Sequence, residues 1–375
     1  MQHDKALKKK IANETSPAER IISSGQAINE AFAQIGERNK DVLLFAEGID
    51  DPSAIYGTTK NLTGIYGKER IIEMPIAENG LCGVAIGAAM AGKRPVISFQ
   101  RVEFALLAME QIINNAAKMH YVSNGVHSAP IVLRLVIGRG WGQGPEHSQS
   151  LETLFSYIPG LKVLMPTFPG DYKGMLIAAV EDNNPVVIIE HRWTHYVKGH
   201  VDSGYYKSDI TKPKRITEGN DCTIVATSFS TLDALRAAEI LSEVGINVDL
   251  FDLRVTRPLQ LAEIEKSVKK TGLLLTVDTG YKTLGIGAEI VSQITEKCFK
   301  NLKAAPARIG LPDHPTPSSR GYLSGLYPDA SKIISQVCNQ IGASKEKEDS
   351  ALKILRDTSA NLPIDVPDPA FQGPF

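Results

Sequence analysis

The sequence has no long hydrophobic run and no excess of charge of either sign. Its 375 residues carry a formal net charge of -1 at pH 7, with 43% hydrophobic and 22% charged residues, which is typical of a globular protein. A membrane-spanning helix needs about 18 consecutive apolar residues, and the sequence contains no such run. Nucleic-acid-binding proteins usually carry a basic excess. We therefore expect neither a nucleic acid nor a membrane as a partner.

The sequence is also poor in cysteine. Its four cysteines are far apart and form no CxxC pair, which argues against a disulfide framework. The N-terminal lysines precede no apolar segment, so no secretory signal is predicted. We expect reduced thiols and a cytoplasmic location. The cysteines are Cys82, Cys222, Cys298 and Cys338.

The sequence does contain a regular alternation of short apolar runs and helical patterns. Continuous apolar runs such as residues 42–45 and 131–137 are typical of strands buried on both faces. Strands that alternate with helices predict mostly parallel sheets with right-handed crossovers, an α/β fold. The length suggests about two domains. The predicted divisions are an N-terminal tail (1–20), a first domain (21–195), a linker (196–220), a second domain (221–342) and a C-terminal tail (343–375).

Three segments carry more specific predictions. Apolar residues at helical spacing predict one long helix from Glu103 to about Ser123. Residues 195–220 show no clear period and contain glycine, lysine and proline, which favours a linker. The C-terminal tail is charged and then proline-rich, so we expect it to wrap around a neighbour or to stay loose.

The most informative stretch is the PIAENG segment at residues 75–80, which leads into a run of small residues that ends at Gly92. It predicts a strand end, a polar turn and a helix that another backbone can approach closely. Glu78 lies at the turn, where the open ends of parallel sheets usually bind ligands. No other charge follows as far as Gly92, so we expect its carboxylate to face a site poor in water. Two interpretations remain open: a functional carboxylate, or an acid that stabilises the helix N-terminus.

Three further side chains are candidates for the same site. His147 follows a glycine-rich loop, which can approach a ligand closely, and an imidazole there can donate or accept a proton. Phe104 follows a strand end and can stack on a flat ring. Glu47 is a second acid at the carboxyl end of a strand. Each has a structural alternative: His147 as a helix cap, Phe104 as ordinary core, and Glu47 as a solvated loop acid.

Several common cofactor motifs are missing from the sequence. The glycine-rich loop at residues 138–144 lacks the Gly-Lys-Ser/Thr ending of a P-loop. The segment at residues 285–290 has Ile290 in place of the third glycine of a dinucleotide fingerprint. The sequence has no Gly-Asp-Gly turn followed by an asparagine, so no site for magnesium and a pyrophosphate is predicted. His191 and His195 lie four residues apart without a helical pattern, so no zinc site is predicted.

Several blocks of the sequence together resemble one family. From about Ile21 to Ile341, the sequence is similar to the beta subunit of the thiamin-diphosphate-dependent first component of 2-oxoacid dehydrogenases, of the pyruvate, branched-chain and acetoin types. The resemblance implies two transketolase-like domains, a pyrimidine-binding domain and a C-terminal domain. The most specific blocks, in the family's order, are residues 75–80, 83–92 and 147–152, and residues 159–163, 182–187 and 285–290 also match.

The resemblance also implies roles for particular residues. Glu78 matches the glutamate that bonds the ring nitrogen N1′ of the aminopyrimidine and so helps to activate the thiazolium carbon of the cofactor. Phe104, Glu47 and Ile76 resemble residues at the pyrimidine site. His147 matches the histidine that orients the substrate and assists acyl transfer to a lipoyl group.

Metal ions and partners are implied in the same way. The family's pyrophosphate and magnesium site lies on an alpha subunit, so the resemblance implies that this chain is inactive alone and forms an alpha-2-beta-2 heterotetramer. A lipoyl acyltransferase component is the expected further partner, and a small 2-oxoacid is the expected substrate. Five positions resemble a structural potassium site built largely from carbonyl oxygens. They are Ile131, Ala179, Val180, Asp182 and Asn184.

Some segments depart from the family's usual pattern. Arg139 and Trp141 stand where smaller residues are usual, residues 100–103 read QRVE, and residues 312–320 also differ. These departures leave the substrate and the acyl acceptor open. The alternatives to a dehydrogenase subunit are the pyrimidine half of a split transketolase, a 2-oxoacid decarboxylase or carboligase, and a non-catalytic scaffold.

Overall fold

The fold is built from two large sheets and one small two-stranded sheet. The computed structural model describes residues 20–49, 54–139 and 142–359. In chain order its strands are β1 (Ile21–Ser23), β2 (Val42–Ala46), β3 (Ile71–Glu73), β4 (Arg94–Phe99), β5 (Val132–Ile137), β6 (Lys162–Leu164), β7 (Val186–His191), β8 (Lys198–His200), β9 (Lys214–Thr217), β10 (Cys222–Ala226), β11 (Val248–Asp252), β12 (Val255–Arg257), β13 (Leu274–Tyr281) and β14 (Ala307–Leu311).

Helices cover both large sheets, and short helical turns connect many of the elements. None of the described helices is long and apolar enough to cross a membrane. The longer helices are α1 (Ser24–Arg38), α2 (Glu78–Met90), α3 (Pro169–Glu181), α4 (Phe229–Glu243), α5 (Ala262–Thr271), α6 (Ile286–Cys298), α7 (Ala330–Ile341) and α8 (Lys345–Thr358). The shorter α-helical and 3-10 turns are Ala54–Gly57, Thr63–Tyr66, Lys68–Arg70, Phe104–Ala108, Met119–Val122, Gly144–His147, Glu152–Ser156, Arg192–Tyr196, Phe299–Asn301 and Arg320–Tyr322.

The first large sheet carries the N-terminal half of the chain. Its order is β12-β6-β7-β5-β4-β2-β3, and all neighbouring strands except β12 and β6 are parallel. Strands β5 and β7 are buried along their whole length, because helices pack on both faces. On one face α1 packs against α3, and a capping box between Ser23 and Gln26 begins α1. The predicted parallel α/β architecture is confirmed.

The second large sheet has the order β14-β13-β10-β11-β9, and only β9 is antiparallel to its neighbour. One face is covered by α4, α7 and α8, and the other by α5 and α6. Strand β12 leaves this half of the chain and pairs with β6 of the first sheet. This exchange could not be predicted from the sequence, because three residues are too few to show a pattern.

The predicted long helix after Glu103 is wrong as a single element. The structure has a 3-10 turn at Phe104–Ala108, a π-helical turn at Gln111–Ala116 and a short α-helix at Met119–Val122. The π-helical turn contains two isoleucines and two asparagines, which have modest helix propensity. Such turns often lie at functional sites.

Two segments expected to lack regular structure have it. Residues 196–220 contain β8, which pairs with β1, and β9, which joins the second sheet. In the C-terminal segment, α8 packs against α7 and α4 of the same chain, with Ala351 fully buried, so residues 345–358 are not loose. Its N-cap is Ser344, whose hydroxyl accepts the Lys347 N–H. Residues 1–19 and 360–375 of the predicted tails lie outside the described residues.

Candidate active site

The predicted site residues lie at one edge of the first sheet. Glu47 follows β2, Glu78 begins α2 after β3, Phe104 follows β4, and His147 follows β5. These strands are neighbours in the order β5-β4-β2-β3 and run parallel. Their carboxyl ends therefore meet at the same edge, which is where α/β sheets bind ligands.

Glu78 lies in a small pocket, with about 200 Å³ of space between atoms including open solvent, whose lining also includes Glu47, Ser98 and Phe104. Its side chain is 5% exposed, although no described residue donates a hydrogen bond to its carboxylate. Helix α2 has Ala77 as N-cap and no side-chain capping bond. A buried carboxylate with no donor among the described residues has room for a ligand that shares a proton with it.

Glu47 shares this pocket and is electrostatically coupled to Glu78. Burial raises the pKa of Glu47, and the negative charges of Glu78 and Glu73 raise it further. Glu73 itself is held by the backbone N–H groups of Gly48 and Ile49, at 2.6 and 2.8 Å. Atom Oε1 of Glu47 is buried and has no hydrogen-bond partner. The pocket thus presents one carboxyl that tends toward its neutral form beside a second carboxyl.

His147 is held by a carboxylate that the sequence analysis did not select. Its Nδ1 lies 2.5 Å from Oε1 of Glu103, and its ring meets the Phe104 ring edge-on at 5.8 Å between centroids. Because a carboxylate accepts from Nδ1–H, the bond leaves Nε2 as the atom that exchanges a proton with a ligand. Phe104 lines the Glu78 pocket, so it connects that pocket with His147.

Arg192 fixes the loop that carries His147. Its Nη2 donates to the carbonyl oxygens of Gly138 at 2.9 Å and His147 at 2.7 Å, and its Nη1 donates to the Gln143 side chain. Arg101 donates to the same Gln143 oxygen at 3.0 Å. Burial lowers the pKa of Arg192 to about 10. The backbone on both sides of the loop is thereby fixed.

Two predicted residues are not part of this arrangement. Ile76 is 86% exposed and does not line the pocket. Trp141 lies outside the described residues. The signal for Glu103 was present in the sequence, since it is the charged residue immediately before Phe104 in a segment that departs from the family pattern. Arg192 carried no signal, because only the fold brings it to the His147 loop.

The five positions that resemble a potassium site lie near the opposite edge of the sheet. Arg94 donates to the carbonyl oxygens of Val180 and Asp182 at 2.9 Å each, and Lys162 pairs with the Asp182 carboxylate. Asn184 donates its backbone N–H to Asp182 Oδ1 at 2.8 Å. No cluster of metal-binding His, Cys, Asp or Glu occurs in the described parts of the chain. The other predicted oxygens accept backbone hydrogen bonds, Ile131 O from Val186 N at 2.9 Å and Ala179 O from Asp182 N at 3.2 Å.

Comparison with known proteins defines the class. Residues 21–195 match the transketolase pyrimidine-binding domain, and residues 211–333 match the transketolase C-terminal domain. A solved structure described as a split-gene transketolase in an inactive beta-4 tetramer superposes with a TM-score of 0.69. The match covers 86% of this chain and 99% of that one at 22% identity, which shows a shared fold. The protein is thus built as a transketolase-like, thiamin-diphosphate-binding protein.

Individual relatives narrow the class. The beta subunit of the pyruvate dehydrogenase E1 component from Bos taurus, described as mitochondrial, is 38% identical over 325 residues, which are 85% of this chain and 90% of that protein. The corresponding subunits of Saccharomyces cerevisiae and Rhizobium meliloti are 35% and 36% identical over 83% of this chain, and over 87% and 68% of their own lengths. The chain belongs to the family of beta subunits of the thiamin-diphosphate-dependent 2-oxoacid dehydrogenase E1 component. The resemblance found in the sequence is confirmed.

Proposed function

We propose that this chain supplies the pyrimidine side of an active site that decarboxylates a small 2-oxoacid and transfers the acyl group to a lipoyl carrier. The observation that carries the proposal is the Glu78 carboxylate, which is buried in a pocket and accepts no hydrogen bond from the described residues. An aminopyrimidine offers the flat ring and the polar edge that such a pocket fits. Thiamin diphosphate, when bound, supplies the electron sink for loss of carbon dioxide.

Each residue of the pocket then has a definite task. Glu78 would share its proton with the ring nitrogen, which has a lone pair and no hydrogen of its own, and Phe104 would pack against the ring. Glu47, whose pKa is raised, is able to donate a hydrogen bond through its unpartnered Oε1. His147 exchanges a proton with substrate or acyl acceptor at Nε2, while Glu103 holds its Nδ1–H.

The uncovered face of α2 supports a partner subunit at this edge. A Cβ built at Gly80 or Gly87 meets no atom within 4 Å, and the nearby apolar side chains of Val84 and Ile76 are 60% and 86% exposed. Apolar surface of this kind is typical of a subunit interface. We assign it to an alpha subunit that carries the pyrophosphate and magnesium site, in a cytoplasmic alpha-2-beta-2 heterotetramer that cooperates with a lipoyl acyltransferase.

A potassium ion is a further part of the proposal. The predicted carbonyl oxygens each keep a second lone pair beside their protein donors. Arg94 and Lys162 already supply positive charge there, so we expect any stabilisation by potassium to be small. The test is the melting temperature of the assembled protein in potassium chloride against choline chloride. Equal melting temperatures at both low and high salt would remove potassium from the proposal.

The main test is reconstitution. The chain is purified alone and together with a candidate alpha subunit, and release of carbon dioxide from a panel of 2-oxoacids is measured with thiamin diphosphate and magnesium. Activity only in the mixture supports a shared site, and the panel identifies the acid. Activity of this chain alone would contradict the assignment of the pyrophosphate site to a partner.

A further inference from the structure

A second cavity lies between the two domains and is separate from the Glu78 pocket. It encloses about 350 Å³ of space between atoms, part of which is open to solvent, and none of its lining residues lines the Glu78 pocket. Arg139, Ser148 and His191 come from the first domain, whereas Ser230 and Asp233 come from α4 of the second domain. Clefts between domains are common places for small-molecule sites.

A guanidinium forms one wall of this cavity, and aromatic rings hold it in place. The guanidinium carbon of Arg139 lies 3.7 Å from the centroid of Tyr327 and 4.6 Å from that of Trp193. Stacking of this kind fixes the plane of the guanidinium and directs its N–H edge sideways. An oriented guanidinium edge suits a carboxylate, which it can bind through two parallel hydrogen bonds.

An imidazole adds a neutral donor beside it. His191 is 4% exposed, and its Nδ1 accepts the backbone N–H of Trp193 at 3.2 Å, so the ring proton sits on Nε2. Burial and the nearby arginine charges hold the pKa of His191 well below its usual value, which keeps the ring neutral. A Cβ at Gly138 would lie 2.9 Å from this Nε2, so only a glycine can pack against the ring at this point, and His191 still lines the cavity.

The opposite wall carries an acid that has no partner among the residues that the structure describes. Asp233 lines the cavity, and its carboxyl group makes no hydrogen bond and no ion pair with the described residues. Burial raises the pKa of Asp233 to about 7, against the opposing charge of Arg139. A carboxyl held in a crevice without donors favours a ligand that brings a hydroxyl or amino group.

We propose that this cavity binds a small carboxylic acid that also carries a hydroxyl or amino group. Arg139 and the Nε2–H of His191 hold its carboxylate, and Asp233 accepts a hydrogen bond from its donor group. The proposal does not depend on the assigned chemistry at Glu78, since the two pockets share no residue.

The test uses three probes that differ by one group: acetate, glycolate and glycine. Binding is measured by ligand-observed NMR or calorimetry, on the assembled protein that contains the full-length chain. We expect glycolate, glycine or both to bind about tenfold more tightly than acetate, since one buried hydrogen bond to a carboxylate has that size. Which of the two is preferred distinguishes a hydroxy acid from an amino acid.

Variants assign the binding to this cavity. Arg139→Gln is expected to weaken all three probes at least about tenfold, because the charge-assisted bonds are lost. Asp233→Ala is expected to abolish the preference over acetate and to leave acetate binding unchanged. Arg356→Gln, at an exposed arginine of α8, is the matched control and leaves binding intact. Glu78→Gln is also expected to leave probe binding intact. The binding test and the test of the proposed function can therefore give negative results independently of each other.

Two results would overturn the proposal: equal affinity for all three probes in the unaltered protein, or unchanged binding in Arg139→Gln. Thermal unfolding shows whether each variant is folded. If Arg139→Gln does not fold, Arg139→Lys keeps the charge and loses the paired geometry. We then expect a loss of acetate affinity of about threefold to tenfold, and an unchanged affinity contradicts the site.

Discussion

Glu78 and Asp278 occupy similar places in the two large sheets, yet their carboxyl groups differ in the hydrogen bonds that they accept. Each lies near the carboxyl edge of a parallel strand and beside the N-terminus of a following helix. Asp278 Oδ2 accepts the N–H of Gly287 at 2.9 Å, in the first turn of α6, and is buried. Glu78 begins α2 and accepts no hydrogen bond from the described residues.

The difference separates an acid that stabilises the fold from one that is available to a ligand. Buried polar groups normally find donors within the protein, and Asp278 does. Glu78 is nearly as buried but faces a pocket that also contains the unpartnered Oε1 of Glu47. Both acids lie at a helix N-terminus, so that position does not distinguish their roles. What distinguishes them is whether a described residue donates a hydrogen bond to the carboxyl group.

The largest expected effect is on activity at Glu78. Glu78→Gln should lower the activity of the reconstituted enzyme about 10³-fold, equivalent to about 4 kcal/mol, because an amide cannot share a proton with the cofactor ring. Glu37→Gln, at an exposed position on α1, is the control. If Glu78 only stabilised the helix N-terminus, the variant would keep its activity and lose at most about 1 kcal/mol of stability.

A smaller effect is expected at the partner of His147. Glu103→Gln keeps an oxygen near Nδ1 but removes the charge, and we expect kcat to fall about 10²-fold with little change in KM. Glu146→Gln, at the exposed acid next to His147, is the matched control. A purely structural role for Glu103 would lower the melting temperature and leave the kcat of the folded fraction unchanged.

The acid of the second sheet should instead affect stability as a function of pH. Burial raises the pKa of Asp278 to about 7, above its unfolded value, so the stability it contributes is present at low pH and is lost as pH rises toward and through 7. Asp278→Asn keeps an acceptor for Gly287 without this loss. Relative to the unaltered protein, the variant should gain about 2–3 kcal/mol between pH 5 and pH 8, measured by chemical unfolding. A gain that does not depend on pH would refute this cause.

The smallest effect is expected at Glu47. Its raised pKa favours the neutral form, which Gln imitates, so Glu47→Gln should reduce activity less than about tenfold. The measurement is kcat with saturating thiamin diphosphate, beside Glu78→Gln prepared in the same way. If Glu47→Gln lost as much activity as Glu78→Gln, Glu47 would have to act as an ionised carboxylate. That result would contradict a neutral Glu47.

Much of the fold could be predicted from the sequence because its signals are local. Helix Ser24–Arg38 has an apolar stripe, and the buried residues of α7 recur at helical spacing. The interrupted helix after Glu103 could not be predicted, because helical spacing is nearly the same in α, 3-10 and π turns over a few residues. The C-terminal helix was missed because charge dominates its composition, although Ala351 is buried against the second domain.

The site could be predicted only in part for a related reason. Glu47, Glu78, Phe104 and His147 all follow strand ends, and parallel strands bring such positions to one edge. Arg192 follows a strand end as well, but nothing in the sequence indicates that its guanidinium turns to the carbonyl oxygen of His147. Such contacts depend on rotamers and loop geometry, which no pattern of residue types records.

The sequence by itself determined the family, the parallel α/β architecture and the edge of the sheet at which the candidate site lies. These follow from hydrophobic periodicity and from contiguous motifs, both of which are local properties. The tertiary structure alone decided which acids have protein donors. Glu78 has none within the described part of the chain, Asp278 is bound by Gly287, and Asp233 faces Arg139 across a cavity between domains. The reason is physical: the hydrogen-bonding state of a buried carboxyl depends on atoms that are distant in the chain and become neighbours only when the domains pack.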